Sequence, residues 1–241
     1  MDVYVPDYYK EFKCIADKCK HTCCKGWEVE VDEASFQRFR GFPDIMEKIE
    51  QTEDIHFRLL EDETCPFLLE NGLCDMIVKY GQDILCQTCA DHPRFRNYWT
   101  DRVEMGLGLV CEEAARMILS REQPMKLVLL EADGESSEDA TEEELWLRDL
   151  RDTMLSEIHE TGPLARLREY LIYRHIADAL YDDRVEERSA FVDRFVSEVK
   201  QQWDMTDGSF EALIEIVRQL SYDVEYDEEV KEAWLEELST E

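Results

Sequence analysis

The sequence predicts a mainly α protein with a loop-rich, cysteine-rich, metal-binding N-terminal half containing short strands and a helical C-terminal half. Three observations carry this. All nine cysteines lie between Cys14 and Cys111. Beyond residue 143 the apolar residues recur at the spacing of helix faces. Trp27-Glu28-Val29-Glu30-Val31 alternates at period two, the pattern of a short strand. With 10 Phe, 10 Tyr and 5 Trp among 241 residues, there is enough apolar bulk for one large domain or two small ones.

The elements follow in order. Asp32 is placed to cap a helix from about Glu33 to Arg40, since a short side-chain oxygen there accepts from a free first-turn amide. A second helix is expected over Ile45–Leu60, and Glu112–Arg121 opens with the acidic residues that suit a helix start. The stretch from Glu131 to Thr141 is acidic, small and polar, and reads as a linker. Helical stripes then follow: Trp146, Leu150, Met154 and Ile158; Leu164, Leu167, Leu171 and Ile176 behind Pro163; Phe191, Phe195, Val199 and Trp203; Phe210, Leu213, Ile214 and Val217; Val230, Trp234, Leu235 and Leu238. Each stripe is expected to pack in a core. The division is therefore a cysteine-cluster domain over 1–130, an acidic linker over 131–143 and an α-helical domain over 144–241.

Charge restricts the function. Lys plus Arg total 27 against 58 Asp plus Glu, a net of −31. Residues 1–130 carry 16 basic and 25 acidic groups, and residues 131–241 carry 11 and 33. A surface this acidic repels phosphate backbones, so nucleic acid is not expected as a partner. No run of apolar residues is long enough to span a membrane, and the N-terminus lacks the basic and apolar regions of a secretory signal. A cytoplasmic location with reduced thiols is expected.

The cysteines are the chemistry-bearing feature. They are spaced Cys14-x4-Cys19-x3-Cys23-Cys24, then Cys65-x8-Cys74-x11-Cys86-x2-Cys89, then Cys111. An odd count and no export signal disfavour disulfides. Cys86-x2-Cys89 with Cys65 and Cys74 could close a tetrahedral zinc site. An iron–sulfur cluster, with a four-iron centre foremost, is the leading reading, because thiolates hold such clusters and nine thiols supply one or two sets of four. Spacing alone does not separate iron from zinc. Adjacent side chains on extended chain point in opposite directions, so Cys23 and Cys24 reach one centre only from a turn. Lys10, Lys13, Lys18, Lys20 and Lys25 with His21 form a basic island, and His92, Arg94 and Arg96 follow Cys89; cations favour thiolates. His21 and His92 are alternative ligands.

Several stretches resemble a known family. Cys65-Pro66-Phe67-Leu68, Gly72-Leu73-Cys74-Asp75 and Cys89 followed by Pro93 resemble the zinc- or iron-chelating cysteine-cluster superfamily, as does the Cys19, Cys23-Cys24 group. Val5-Pro6-Asp7-Tyr8-Tyr9-Lys10-Glu11-Phe12-Lys13-Cys14, Thr22-Cys23-Cys24-Lys25-Gly26-Trp27-Glu28, Leu85-Cys86-Gln87-Thr88-Cys89 with Pro93-Arg94, and Leu107 through Cys111 with Ala114-Ala115-Arg116 resemble one branch, the bacterial flagellin lysine N-methylases. The resemblance implies an iron–sulfur cluster, S-adenosylmethionine as methyl donor and flagellin lysines as acceptor. The chain departs in having Glu112 after the last cysteine, where members often carry Pro, and in being shorter than many of them. A metal-stapled module for protein interaction or metal and redox handling is the alternative.

The residues also limit the mechanism. Only Gly106-x-Gly108 approaches a glycine-rich cofactor turn, and no third glycine completes it. Cys-x3-Cys-x2-Cys of radical S-adenosylmethionine enzymes is absent. Glu28, Asp75, Asp91 and Glu104 are candidate proton acceptors. Tyr8 and Trp27 are candidate walls for a methylammonium-like group.

Overall fold

The structure, a computed structural model, describes residues 1–133 and 138–239. Residues 134–137 of the expected linker lie outside the described residues. The chain runs β1 (Asp2–Pro6), α1 (Glu33–Phe39), α2 (Pro43–Met46), β2 (Ile49–Gln51), β3 (Ile55–Phe57), α3 (Asp75–Tyr80), α4 (Gln87–Asp91), β4 (Arg94–Tyr98), β5 (Arg102–Leu107), α5 (Glu112–Leu119) and β6 (Leu127–Glu131). Then come α6 (Glu142–Ser156), α7 (Pro163–His175), α8 (Ala179–Asp182), α9 (Val185–Asp204), α10 (Phe210–Tyr226) and α11 (Glu228–Leu238). The helical C-terminal half is as expected.

Two compact units result, Met1–Lys13 with Pro93–Glu241 and Cys14–His92. Composition placed its division at 131–143, and backbone pairing explains the difference. β1 runs parallel to β5, with Asp2 opposite Arg102, and antiparallel to β6, with Pro6 opposite Leu127. The first residues therefore belong with the chain after Pro93, and Cys14–His92 is an insertion between β1 and β4.

In the first unit a mixed sheet of order β4-β5-β1-β6 packs with the helices. Phe191, Phe195, Val199, Leu213 and Val217 are all buried, as their stripes predict. In the α6 stripe Met154 and Ile158 pack against the core, Leu150 is half-buried, and Trp146 is the exception. Trp146 is 53% exposed, and the buried residues of the helix are Glu144, Leu147, Arg148 and Arg151. Ionic partners explain this facing. Arg148 reaches Asp101 at 2.9 Å, Arg151 reaches Glu104 at 2.6 Å, and Glu144 accepts from the Thr100 amide at 2.7 Å. Thr141 and Glu144 close a capping box at the start of α6, so the helix begins inside the expected linker.

The second unit is small and irregular, with a core of Val29, Val31, Phe36, Phe39, Ile45, Phe57, Phe67, Met76 and Ile84. Asp32 caps α1 as expected, accepting from Ser35 N at 2.9 Å. The expected helix over Ile45–Leu60 is instead one turn, α2, followed by the β2–β3 hairpin. Pairing places Ile49 opposite Phe57, and both enter the core, an arrangement that Thr52-Glu53-Asp54 allows by turning the chain. The Trp27–Val31 alternation does bury Val29 and Val31, but forms only an isolated bridge, Glu30 to His56. No helix among the described residues is long and apolar enough to cross a membrane.

Candidate functional site

The second unit gathers sulfur through four local devices. Gly26, at φ 86°, turns the chain after Cys24, and an antiparallel bridge between Lys25 and Thr64 sets Cys65 beside it; the Cys65 amide donates to the Cys24 carbonyl at 2.8 Å. A second bridge, Leu68 to Cys74, folds Cys74 back towards Cys65. Cys74 and Cys86 stand at the N-caps of α3 and α4, and Cys89 follows Cys86 within the single turn of α4. Asp32 ties these pieces together, its second carboxylate oxygen accepting from the Gln87 amide at 2.9 Å.

The result is a thiol cluster on one apolar wall. Cys65 and Cys86 are buried, and Cys24, Cys74 and Cys89 are half-buried against the same core. The sulfurs touch in pairs. Contact with Cys23 and then Cys65 lowers the Cys24 thiol against its burial, with His92 adding to the shift. Cys65 is raised, by its contact with Cys24 and by burial. Likewise Cys86 is lowered by Cys89, and Cys89 is raised by Cys86. Each pair thus favours one thiolate that accepts from its neighbour's S–H. Burial raises Cys74, opposed by the amides of Ile77 and Met76 at the start of α3. Cys23 and Cys24 sit in a bend, where the Cys24 amide donates to Thr22 Oγ1 at 3.0 Å, so the two sulfurs do interact despite being sequence neighbours.

The other predicted ligands are placed differently. Cys14 is exposed, its sulfur accepting from the Ala16 amide at 3.4 Å; Cys23 is exposed, and Cys19 is half-buried. Cys111 belongs to the first unit, at the N-cap of α5. Among the described residues no group of three or more His, Cys, Asp or Glu side chains is arranged to hold a metal ion.

The basic island is solvated: Lys10, Lys13, Lys18, Lys20 and Lys25 are all exposed. His92 stacks on Trp27 at 6.0 Å, and the Trp27 indole donates to the Cys23 carbonyl at 2.9 Å. Of the candidate proton acceptors, Glu28 is exposed, Asp75 pairs with Lys79 at 2.7 Å, and Asp91 accepts from Gln87 at 2.8 Å. Glu104 is fully buried against Arg151. Tyr8 is a core residue whose ring already carries the Arg121 guanidinium at 4.9 Å.

With this geometry in view, comparison with known proteins gives three relatives. The lysine-N-methylases of Salmonella typhimurium and Salmonella choleraesuis are each 26% identical over 136 residues, covering 51% of this chain. The flagellar biosynthetic protein FliU of Salmonella muenchen is 25% identical over 134 residues, again 51% of this chain and 79% of its own length. The chain spans only 33% of the length of the two lysine-N-methylases. No protein-family profile and no solved structure matches it. Over half its length the chain is thus a distant relative of lysine-N-methylases.

Sequence reasoning missed the second role of Asp32 and the Glu104–Arg151 pair. The first had a visible signal in the cap position; the second had none, since 47 residues separate its partners.

Proposed function

We propose that this protein is a lysine N-methyltransferase of the flagellin methylase type, acting in the cytoplasm on flagellin with S-adenosylmethionine as donor. The similarity to proteins named lysine-N-methylase is the observation that carries this reading. The name of the FliU relative, a flagellar biosynthetic protein, supports flagellin as partner.

An iron–sulfur cluster is part of the proposal, supported by the chemistry of the thiols rather than by a preformed set of ligands. Five thiols share one apolar wall, four of them in touching pairs that each favour a thiolate, and thiolates are the ligands such clusters take. Cys24, Cys65, Cys86 and Cys89 would hold it, with Cys74 beside them. When bound, such a cluster supplies a Lewis-acidic or redox-active iron. Asp32 holds the Cys86 end of α4 against the start of α1, and His92 contributes positive potential at Cys24.

In the transfer itself the neutral lysine nitrogen forms a bond to the methyl carbon. The sulfonium carbon–sulfur bond breaks, its electron pair remains on the thioether, and the new ammonium loses its proton to water or a carboxylate.

The test is anaerobic purification, with iron, acid-labile sulfide and zinc measured per chain, followed by incubation with flagellin and S-adenosylmethionine and mass spectrometry of the lysines. Iron and sulfide with lysine methylation are expected. Serine at Cys65 or Cys86 is expected to abolish cluster binding, and serine at Cys14 or Cys111 to leave it. No methylated lysine from cluster-replete protein ends the methylase reading. Zinc without sulfide ends the iron–sulfur one.

A further inference from the structure

The α6 stripe that sequence alone assigns to a core packs there at Met154 and Ile158 but leaves Trp146 open to solvent. Trp146, Leu150 and Met154 line a groove of about 540 Å³, closed on its far side by Val185 and Ser189 of α9. Trp146 keeps 53% of its surface exposed. Asp183, Glu186 and Glu187 edge the groove, and none of the three forms an ion pair among the described residues. The neighbouring cations are taken: Arg184 pairs with Asp182 and Glu232, and Arg188 with Asp182 and Asp178. The groove is therefore an apolar floor with uncompensated negative charge along one rim. It belongs to a stretch, residues 131–241, with 11 basic and 33 acidic groups.

We propose that this groove docks a cationic amphipathic helix of a partner protein. Leucine-like side chains at helical spacing would fill the floor over Trp146, Leu150 and Met154. Lysine or arginine side chains flanking that stripe would meet Asp183, Glu186 and Glu187, and one ammonium or guanidinium would stack on the exposed Trp146 face. Charge complementarity selects this occupant. An acidic or neutral helix would leave the rim unpaired, and a second copy of this chain would bring like charge to it. The docking goes beyond the methylase reading and does not depend on it.

The test uses the full chain and a fluorescently labelled, amidated peptide of leucine and lysine, roughly five turns long with leucines on one face, read by fluorescence anisotropy. A peptide with glutamate in place of lysine is the control. Saturable binding of the lysine peptide is expected, with none of the glutamate peptide. Trp146→Ala and the pair Glu186→Lys with Glu187→Lys are each expected to weaken binding about tenfold or more, and salt to weaken it further. Glu229→Lys with Glu236→Lys, which changes the net charge equally on exposed α11 positions, is expected to matter far less. Thermal melting of each variant shows that it is folded. If the α11 pair weakens binding as much as the groove pair, or if Trp146→Ala binds as tightly as the parent, the proposal is overturned.

Discussion

Glu104 was a candidate base from the sequence; its surroundings make it structural, and one substitution set decides between the two roles. The Glu104 side chain is 0% exposed and that of Arg151 is 3% exposed, with 2.6 Å between charged atoms. Arg151 also lies over the Tyr173 ring at 5.7 Å, and the Tyr173 hydroxyl donates to the Met105 carbonyl at 3.1 Å. The pair thus pins α6 and α7 to β5. Arg151→Met leaves a buried carboxylate without its cation, which costs about 3–5 kcal/mol. With a urea slope of about 1–3 kcal/mol per molar, the midpoint falls by roughly 1–5 M. Glu104→Gln keeps the shape and some hydrogen bonding, and is expected to cost about 1.5–3 kcal/mol. The double variant removes both charges and is expected to be no worse than Arg151→Met alone. The assay is urea denaturation at pH 7 followed by tryptophan fluorescence, since Trp99, Trp146, Trp203 and Trp234 all report on this unit. Additive losses in the double variant would refute the coupling. Loss of methyl transfer in Glu104→Gln with unchanged stability would refute the structural role.

Two further outcomes follow from single side chains. Asp32→Ala is expected to destabilise the Cys14–His92 unit by about 1–2 kcal/mol, because Asp32 caps α1 and also accepts from Gln87. Asp32 is held down to about 2, chiefly by the Ser35 contact working against burial. Its folded value lies below its unfolded one, so this contribution is present above about pH 4 and fades as pH falls through about 2; the gap to the parent in urea midpoint, read by Trp27 fluorescence, should close over that range. Gly106→Ala would drive a methyl into the Phe95 ring, which packs against Tyr170, Tyr173 and Arg174. A loss of about 1–3 kcal/mol is expected, with recovery in Gly106→Ala combined with Phe95→Leu; no recovery would place the strain elsewhere.

What was legible in the sequence was local. The Asp32 cap, the Pro163 helix start and the stripes led by Phe191 and Phe210 depend on spacing within a few residues, and they stand in the fold. What was not legible depends on distant pairing. β1 finds its neighbours about a hundred residues away, and nothing in Asp2–Pro6 records that. Within the α6 stripe Trp146 alone misled, because hydrophobic spacing was weighed without the ionic face: Arg148 and Arg151 are drawn inward by Asp101 and Glu104, acids that sequence inspection had no reason to pair with them. For the thiols the sequence offered nine candidates, with Cys65, Cys74, Cys86 and Cys89 as one set of four. The fold separates them by burial, because only the segments around Cys24, Cys65, Cys74, Cys86 and Cys89 contribute to the apolar wall of their unit.

The positions of those cysteines also separate metal chemistry from backbone structure. Cys74 and Cys86 stand at helix N-caps, where first-turn amides face their sulfurs without closing the cap hydrogen bond that an oxygen would accept. Serine is among the preferred N-cap residues, worth about 1 kcal/mol over a non-capping side chain. Cys86→Ser should therefore preserve α4 while removing a thiolate. The oxygen of serine is the harder donor, so a sulfur-seeking metal would be lost even where the helix persists. Far-ultraviolet circular dichroism with metal content on the same samples reads both halves of that statement. Helix retained with metal lost is the expected pattern. Helix and metal lost together would mean that the thiols hold up the unit itself, and the cap geometry would then be a consequence of the centre rather than its scaffold.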